Sequence, residues 1–490
     1  MRRTHRLRGA VAVLCVAALA LAGCSPGDRG ASDSGDVAAP RQEPGSGADE
    51  PERGDPSRST FAIDIDTASY TYARRLILEG RRPSPGDVRP EEFVNAFEQD
   101  YPQPFGDGFT VSADGAQLPA HAAEAEDAAG DTRLLRIGLR TRAEDAGARP
   151  DAALTFVVDT SGSMREPGRL DLVQDALHTL VDQLRDTDAV AIVAYASKAR
   201  VLRPMTPVRS GSALHAAIDD LGADGSTNLE DGLVTGYRVA RDGFRQGATN
   251  RVILLSDGLA NVGSTSAEPI LRQVREEAAK QISLLGVGVG SDYGDQLMER
   301  LADQGDGFVT YVSEPEQARE LFVRQLPATL TVRARDAKAQ VTFDQDTVVG
   351  FRLVGYENRN LAAEDFRDDS VDGGEVGPGH SVTALYLVRL RPEATGRVAQ
   401  ARVRWLDPAS GAAREAAAEV RVGDLDRQFA TAAPRLRVCY AAAAFAEALR
   451  GRTEVSRGYL GDLAVIADDA ARATNDPQVT ELATLIRSVR

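Results

Sequence analysis

Side-chain chemistry is scarce in this chain. Its 490 residues include three cysteines, five histidines, four methionines and one tryptophan. Cys15 and Cys24 both lie in or at the end of a leader-like N-terminal stretch, so Cys439 stands alone and no intrachain disulfide framework is available. The histidines are His5, His121, His178, His215 and His380, which leaves few candidates for imidazole acid–base work. No G-x-S-x-G, H-E-x-x-H or G-x-x-x-x-G-K-[ST] motif occurs, so hydrolytic chemistry lacks its carriers and no enzyme is expected. The run from Gly286 to Gly290 lacks the third glycine of a dinucleotide fingerprint, Ser291 and Tyr293 standing at the two places for it. It reads instead as a strand that needs close backbone approach, and no nucleotide is expected. Basic charge is in deficit: 57 Lys and Arg against 73 Asp and Glu give a net charge of -16, which repels phosphates and argues against nucleic acid.

What is present is ordinary globular material, 42% hydrophobic and 27% charged, with length for two to four domains. The N-terminus is different. Arg2, Arg3, Arg6 and Arg8 precede an apolar run from Ala10 to Ala20 that is too short to span a bilayer comfortably. Leu21-Ala22-Gly23-Cys24 follows and resembles a lipobox, the site at which a bacterial lipoprotein is cleaved and acylated. Residues 1–23 are therefore expected to be a signal peptide and Cys24 the lipidated residue. The protein is then anchored on the extracytoplasmic side of the cell membrane or outer membrane. Residues 24–59, rich in Gly, Pro, Ser, Asp and Glu, read as a disordered linker.

Order is expected from Thr60. Residues 60–150 carry a short strand at Phe61, a helix from Thr67 to Glu79 with Thr67 as its cap, a second helix over Pro90 to Phe97, and strands near Phe109 to Ala113 and Arg133 to Leu139. Asp64 and Asp66 flank the first strand end and read as structural acids. From 151 to 326 short, almost wholly apolar strands alternate with amphipathic helices, the signature of a parallel sheet covered on both faces. Leu170, Val173, Leu177, Leu180, Val181 and Leu184 form one helix stripe, and His178 falls off it towards solvent. From 327 to 430 the pattern alternates apolar and polar as antiparallel strands do. Asp368, Asp369, Ser370, Val371, Asp372 and Gly373 partly imitate a calcium loop, but Gly379 stands where the closing Glu is needed, so an acidic hairpin loop is expected. Residues 431–490 are alanine-rich helices, and Cys439 reads as a buried small residue. The fold class is thus α/β: a doubly wound, mostly parallel sheet inserted in or flanked by an antiparallel β domain, with C-terminal helices.

The chemistry concentrates at strand ends. The first apolar strand closes in Asp159-Thr160-Ser161-Gly162-Ser163 and the third in Ser256-Asp257, while Gly225-Ser226-Thr227-Asn228 leads into a helix between them. Ligands of doubly wound sheets bind at this edge, and an array of carboxylate and hydroxyl oxygens suits a hard cation.

These residues resemble the von Willebrand factor A family, whose metal-ion-dependent adhesion site is Asp-x-Ser-x-Ser, then Thr, then Asp. Asp159, Ser161, Ser163, Thr227 and Asp257 match all five positions. The resemblance implies a Rossmann-like fold, one Mg²⁺ (or Mn²⁺ or Ca²⁺) ion, and an open coordination position for an Asp or Glu of a protein partner. Phe61 to Arg75 with Pro90 to Pro102, and Gly355 to Tyr386, further resemble the flanking regions of the YfbK-like family. The implied function is a lipid-anchored binding module; the alternative is an accessory or scaffold subunit of an envelope assembly or processing machine, and a hydrolase ranks third. Replacement of the lipobox cysteine, Cys24→Ser, is expected to move the protein out of the membrane fraction or leave it unprocessed. Fractionation showing processed mutant still on the membrane contradicts the lipobox.

Overall fold

The structure is a computed structural model that describes residues 57–489 except 64, 107, 120–130, 144–148, 258–267, 291–295, 306, 313–314, 320, 323–330, 370, 372, 409 and 452–456. The leader, Cys24, Asp64, Ser291, Tyr293, Ser370 and Asp372 lie outside the described residues.

Fifteen strands form three sheets among the described residues. In chain order they are β1 (Arg58–Ala62), β2 (Phe109–Gln117), β3 (Asp131–Thr141), β4 (Ala152–Asp159), β5 (Ala189–Tyr195), β6 (Ala199–Pro207), β7 (Thr249–Ser256), β8 (Ile282–Val289), β9 (Val309–Val312), β10 (Arg335–Phe343), β11 (Val348–Leu353), β12 (Asn360–Leu361), β13 (Ser381–Leu390), β14 (Arg397–Leu406) and β15 (Ala413–Arg421). The six-stranded sheet runs β6-β5-β4-β7-β8-β9. Its strands are parallel except β6, which pairs antiparallel to β5 at the edge. Every residue of β4, β5 and β8 is buried. Two apolar cores, one on each face, explain why these strands read as continuous hydrophobic runs.

The other two sheets are antiparallel and draw on both ends of the chain. The order β12-β1-β10-β14-β15 places β1 between later strands, and β11-β13-β3-β2 does the same with β3. Their facing sides share one core in which Phe61, Ala339 and Val403 meet Leu135, Ile137 and Val382. The α/β domain is therefore an insertion into a β sandwich, and the fold class is the one expected. On its outer side the four-stranded sheet offers Leu134, Leu385 and Ala116 to a helical layer. That layer contains α1 (Ala68–Leu78), α2 (Pro90–Asn95) and three C-terminal helices, Pro434–Arg450, Arg457–Thr474 and Pro477–Ser488. Tyr70 packs edge-on against Phe93 and Phe97, and Arg74 grips Glu481 through two hydrogen bonds of 2.8 and 2.6 Å.

Several local expectations change. Thr67 precedes α1 but its side chain makes no capping bond, and α2 stops at Asn95. Asp66 is structural, accepting from the Val309 amide at 3.0 Å and pairing with Arg359. His178 is half-buried rather than solvated: it stacks on His215 with the two Nδ1 atoms 2.7 Å apart. The acidic loop is held by basic side chains, Asp368 through its carbonyl to Lys338 and Asp369 by Arg404. Cys439 is buried, as expected, where its thiol donates to Gln99 at 2.8 Å.

The sandwich meets the α/β sheet at the start of β7. Arg251 there is buried and bonds Ser283, with His380 close by. Burial, reinforced by the Arg251 cation, pushes the His380 imidazole from 6.5 down to about 4. The unfolded chain binds this proton below pH 6.5 while the folded protein refuses it. Its stabilising contribution is thus complete above 6.5 and lost as pH falls towards 4, at most about 3 kcal/mol. Thermal melts are expected to show a steeper stability loss over that window for wild type than for His380→Gln; equal slopes contradict the assignment.

Candidate metal centre

β4 is flanked by β5 on one side and β7 on the other, so the chain winds outward in both directions from it. The carboxyl ends of β4 and β7 therefore form the switch-point crevice of the sheet. Three segments reach it. The first leaves β4 at Asp159 and makes a short turn over Gly162–Arg165 before α3 (Leu170–Gln183). The second is the loop before α5 (Leu229–Asp242), which follows α4 (Gly211–Asp219). The third is the end of β7 at Ser256, followed by Asp257.

Backbone bonds join the first two segments tightly. Gly162 donates to the Gly225 carbonyl at 2.9 Å, Asp224 to the Thr160 carbonyl at 2.7 Å, and Thr160 to the Tyr195 carbonyl at 2.8 Å. Gly225 has φ +81, and a Cβ there would lie 2.7 Å from the Ser197 hydroxyl, so only glycine closes this junction without strain. Asn228, not Thr227, caps α5 by accepting from the Asp231 amide at 3.1 Å. α5 lies close on the sheet because Gly232 faces the Tyr195 ring and Gly236 faces Val157, each with less than 3 Å available to a Cβ. That close approach brings Thr227 down to the crevice, where it is buried.

Asp159 is fully buried. Its Oδ1 accepts from the Ser161 amide at 2.8 Å, and its Oδ2 accepts from Ser256 at 2.8 Å and from the Tyr195 hydroxyl at 3.3 Å. Burial nevertheless raises its carboxyl above the ordinary range, with Asp257 adding like-charge repulsion against the bonds from Ser161 and Ser256. The Ser161 and Ser163 hydroxyls are 3.1 Å apart, and Ser161 makes no helix-capping bond. Asp257 is also fully buried; its Oδ2 accepts from Arg169 at 2.6 Å, whereas its Oδ1 is buried without any hydrogen-bond partner.

All five expected residues thus lie on the three segments that close this crevice, and the donor set fits a hard divalent cation: three hydroxyls and two carboxylates, one of which has an orphaned buried oxygen. Among the described residues no three His, Cys, Asp or Glu side chains converge on a point, so a site here is necessarily rich in hydroxyls. Sequence reading gave no role to Ser256, Tyr195 or Arg169. Arg169 is the least legible, because a lone arginine ahead of an apolar stripe reads as solvated, yet it is buried. The glycine run is accounted for by packing: a Cβ on Gly286 would lie 2.9 Å from Met298.

Comparison with known proteins agrees with this geometry. A von Willebrand factor type A domain model matches residues 153–324, a model for the C-terminal part of YfbK matches 328–396, and a von Willebrand factor model matches 51–125. The uncharacterized protein YfbK of Escherichia coli is 35% identical over 345 residues, 68% of this chain and 58% of that protein. An uncharacterized protein of Synechocystis is 28% identical over 57% of this chain and 67% of its own length. Human inter-alpha-trypsin inhibitor heavy chain H4 is 27% identical over 45% of this chain and 25% of that protein. The structure of a von Willebrand factor type A protein from Catenulispora acidiphila superposes with a TM-score of 0.50 at 18% identity, covering 78% of this chain and 91% of that one; it shows the fold.

The burial cost of ionised Asp159 makes a sharp prediction for metal-free protein. In chelator Asp159→Asn is expected to melt no lower than wild type, because the amide keeps the acceptor for Ser161 and removes the repulsion with Asp257. A large fall in melting temperature contradicts this.

Proposed function

Because the chain carries a von Willebrand factor type A domain joined to a YfbK-type C-terminal region, we propose that the domain is a divalent-metal-dependent protein-binding module and not an enzyme. Asp159, Ser161, Ser163, Thr227 and Asp257 hold one Mg²⁺, Mn²⁺ or Ca²⁺ ion. The bound ion supplies positive charge and an open position for an Asp or Glu side chain of a partner. The observation that carries the reading is the bare Oδ1 of Asp257, buried at the switch point where Asp257 and Asp159 repel each other. An unpartnered buried carboxylate oxygen costs stability unless a cation meets it.

The residues divide the work. Asp159 and Asp257 provide charge from two different strands, which fixes their separation to the sheet. Ser161, Ser163 and Thr227 provide neutral oxygens, so the ligand set adds no charge beyond the two carboxylates that balance the ion, and a partner's carboxylate is not met by excess negative charge. Cys24 places the module on the extracytoplasmic face of the membrane through its lipid. The chain spans 58% of its Escherichia coli relative, so the assembly it serves is a matter for experiment. A scaffold role in an envelope machine uses the same grip.

Thr227→Ala is the discriminating variant, since it removes one neutral oxygen and leaves both carboxylates. Capture of an envelope partner is expected to fall at least about tenfold while the metal-induced rise in melting temperature shrinks less. Chelator is expected to abolish capture, with divalent ions restoring it. Capture undiminished in excess chelator overturns the carboxylate grip. A melting temperature indifferent to divalent ions overturns the metal site itself.

A further inference from the structure

Two facing helices of the α/β domain carry the same short pattern. α3 contains His178 and Asp182, and α4 contains His215 and Asp219, each a histidine followed four residues later by an aspartate. Each pair therefore lies on one face of its helix. The pairing between the helices is crossed: His178 Nε2 meets Asp219 at 3.2 Å, and His215 Nε2 meets Asp182 at 3.2 Å. Gln174, one turn before His178, donates to the Ile218 and Leu221 carbonyls at 3.0 and 3.2 Å and fixes the spacing of the two helices. The two Nδ1 atoms meet at 2.7 Å. With the ring centres 5.0 Å apart and the ring planes 15° apart, each Nδ1 lies between the centres and faces the other.

A carboxylate only accepts hydrogen bonds, so each Nε2 carries the ring hydrogen of a neutral imidazole. Each Nδ1 is then a bare lone pair, and the two lone pairs point at each other across 2.7 Å. Such a contact repels unless a positive centre meets both nitrogens. A carboxylate on the outer nitrogen is also the usual support of a metal-binding imidazole, since it fixes the tautomer and the direction of the ring. From this arrangement we propose that His178 and His215 form a second metal site, for a divalent ion that favours imidazole nitrogen: Zn²⁺, Ni²⁺ or Cu²⁺. The two Nδ1 atoms are its protein ligands, Asp219 and Asp182 orient them from behind, and water fills the remaining positions. The imidazoles are 30% and 31% exposed. A small rotation of each side chain thus turns the nitrogens from facing each other to converging, at about 2.0–2.1 Å, on an ion at the solvent side. The bound ion ties α3, which follows the first segment of the crevice, to α4, which precedes the second. This site does not depend on the crevice holding a metal. The two differ in chemistry: hydroxyl and carboxylate oxygens suit a hard ion there, and imidazoles suit a softer one here.

The test uses the full chain, with Zn²⁺ as the probe and excess Mg²⁺ present to occupy oxygen ligands, since Mg²⁺ competes poorly for imidazole. Calorimetry is expected to show one Zn²⁺ bound. His178→Gln and His215→Gln are each expected to abolish that binding, whereas Asp159→Asn in the crevice keeps it. Asp219→Asn and Asp182→Asn are each expected to weaken it about tenfold, because the amide holds the Nε2 hydrogen less firmly than a carboxylate does. Nitrogen-15 spectra are expected to show both Nδ1 resonances moving when Zn²⁺ is added. Resonances that respond to pH but not to Zn²⁺ assign the meeting point to a shared extra proton and overturn the metal site. Zn²⁺ binding that survives in both histidine variants overturns it, as does a wild type that binds none. Each histidine variant is also melted in chelator. Where one does not unfold cooperatively, the aspartate variants decide, and affinities equal to wild type in both of them overturn the site.

Discussion

Two carboxylates buried side by side, Asp159 and Asp257, are the constraint around which the α/β domain is arranged. Each ends or follows a central strand of the sheet, and neither is accessible to solvent. Placing two like charges in a low-dielectric crevice is costly unless donors and cations meet them. The surroundings supply what they can: an amide and two hydroxyls for Asp159, one guanidinium for Asp257. One oxygen is left over. A core built for stability alone would place apolar residues here, as it does at Val158 just before Asp159 and at Leu255 two residues before Asp257. The expense is concentrated at the one edge of the sheet where the topology opens a crevice.

The remainder of the chain keeps that crevice in shape. Gly225 and Gly162 lock the first two segments together, while Gly232 and Gly236 seat α5 on the sheet. On the far side, Arg75 of α1 donates to the Gly290 carbonyl at 3.0 Å and to the Tyr311 hydroxyl at 2.8 Å. Gly290 is the same residue against which Arg169 lies. The N-terminal segment, itself woven into the sandwich through β1, thus buttresses the backbone behind Arg169. Arg75, Gly290, Arg169 and Asp257 are consecutive contacts that join the flanking body to the centre of the inserted domain.

How much of this was legible depended on which force wrote each feature. Buried parallel strands need apolar residues at every position, so β4, β5, β7 and β8 announced themselves, and with them the strand ends that carry Asp159 and Asp257. Thr227 was legible from the motif order, although what places it is the close packing of Gly232 and Gly236. Edge strands were harder. β15 reads Ala-Arg-Glu-Ala-Ala-Ala-Glu-Val-Arg, a helix-forming composition, and is a strand only because β14 pairs with it. β6 carries no clean alternation, being half-exposed at the sheet margin. Arg169 was illegible because its partner is 88 residues away in sequence. His178 misled because its helix stripe says nothing of the neighbouring α4, which brings His215 onto it.

Overall charge and local charge pull in opposite directions here, and their ranges decide between them. The chain is acidic, net -16, and the proposed partner offers an acidic side chain. At physiological salt, exposed charges are screened beyond about 8 Å, so the acidic surface contributes little once the partner is docked and mildly opposes its approach. The proposed contact at the crevice would be made in a buried, poorly screened setting, where a single charge is worth far more than at the surface. Recognition on these terms gains little from long-range steering and depends on contact. Under the proposed lipid anchoring, tethering to one membrane surface, not electrostatic attraction, would supply the encounters with a partner.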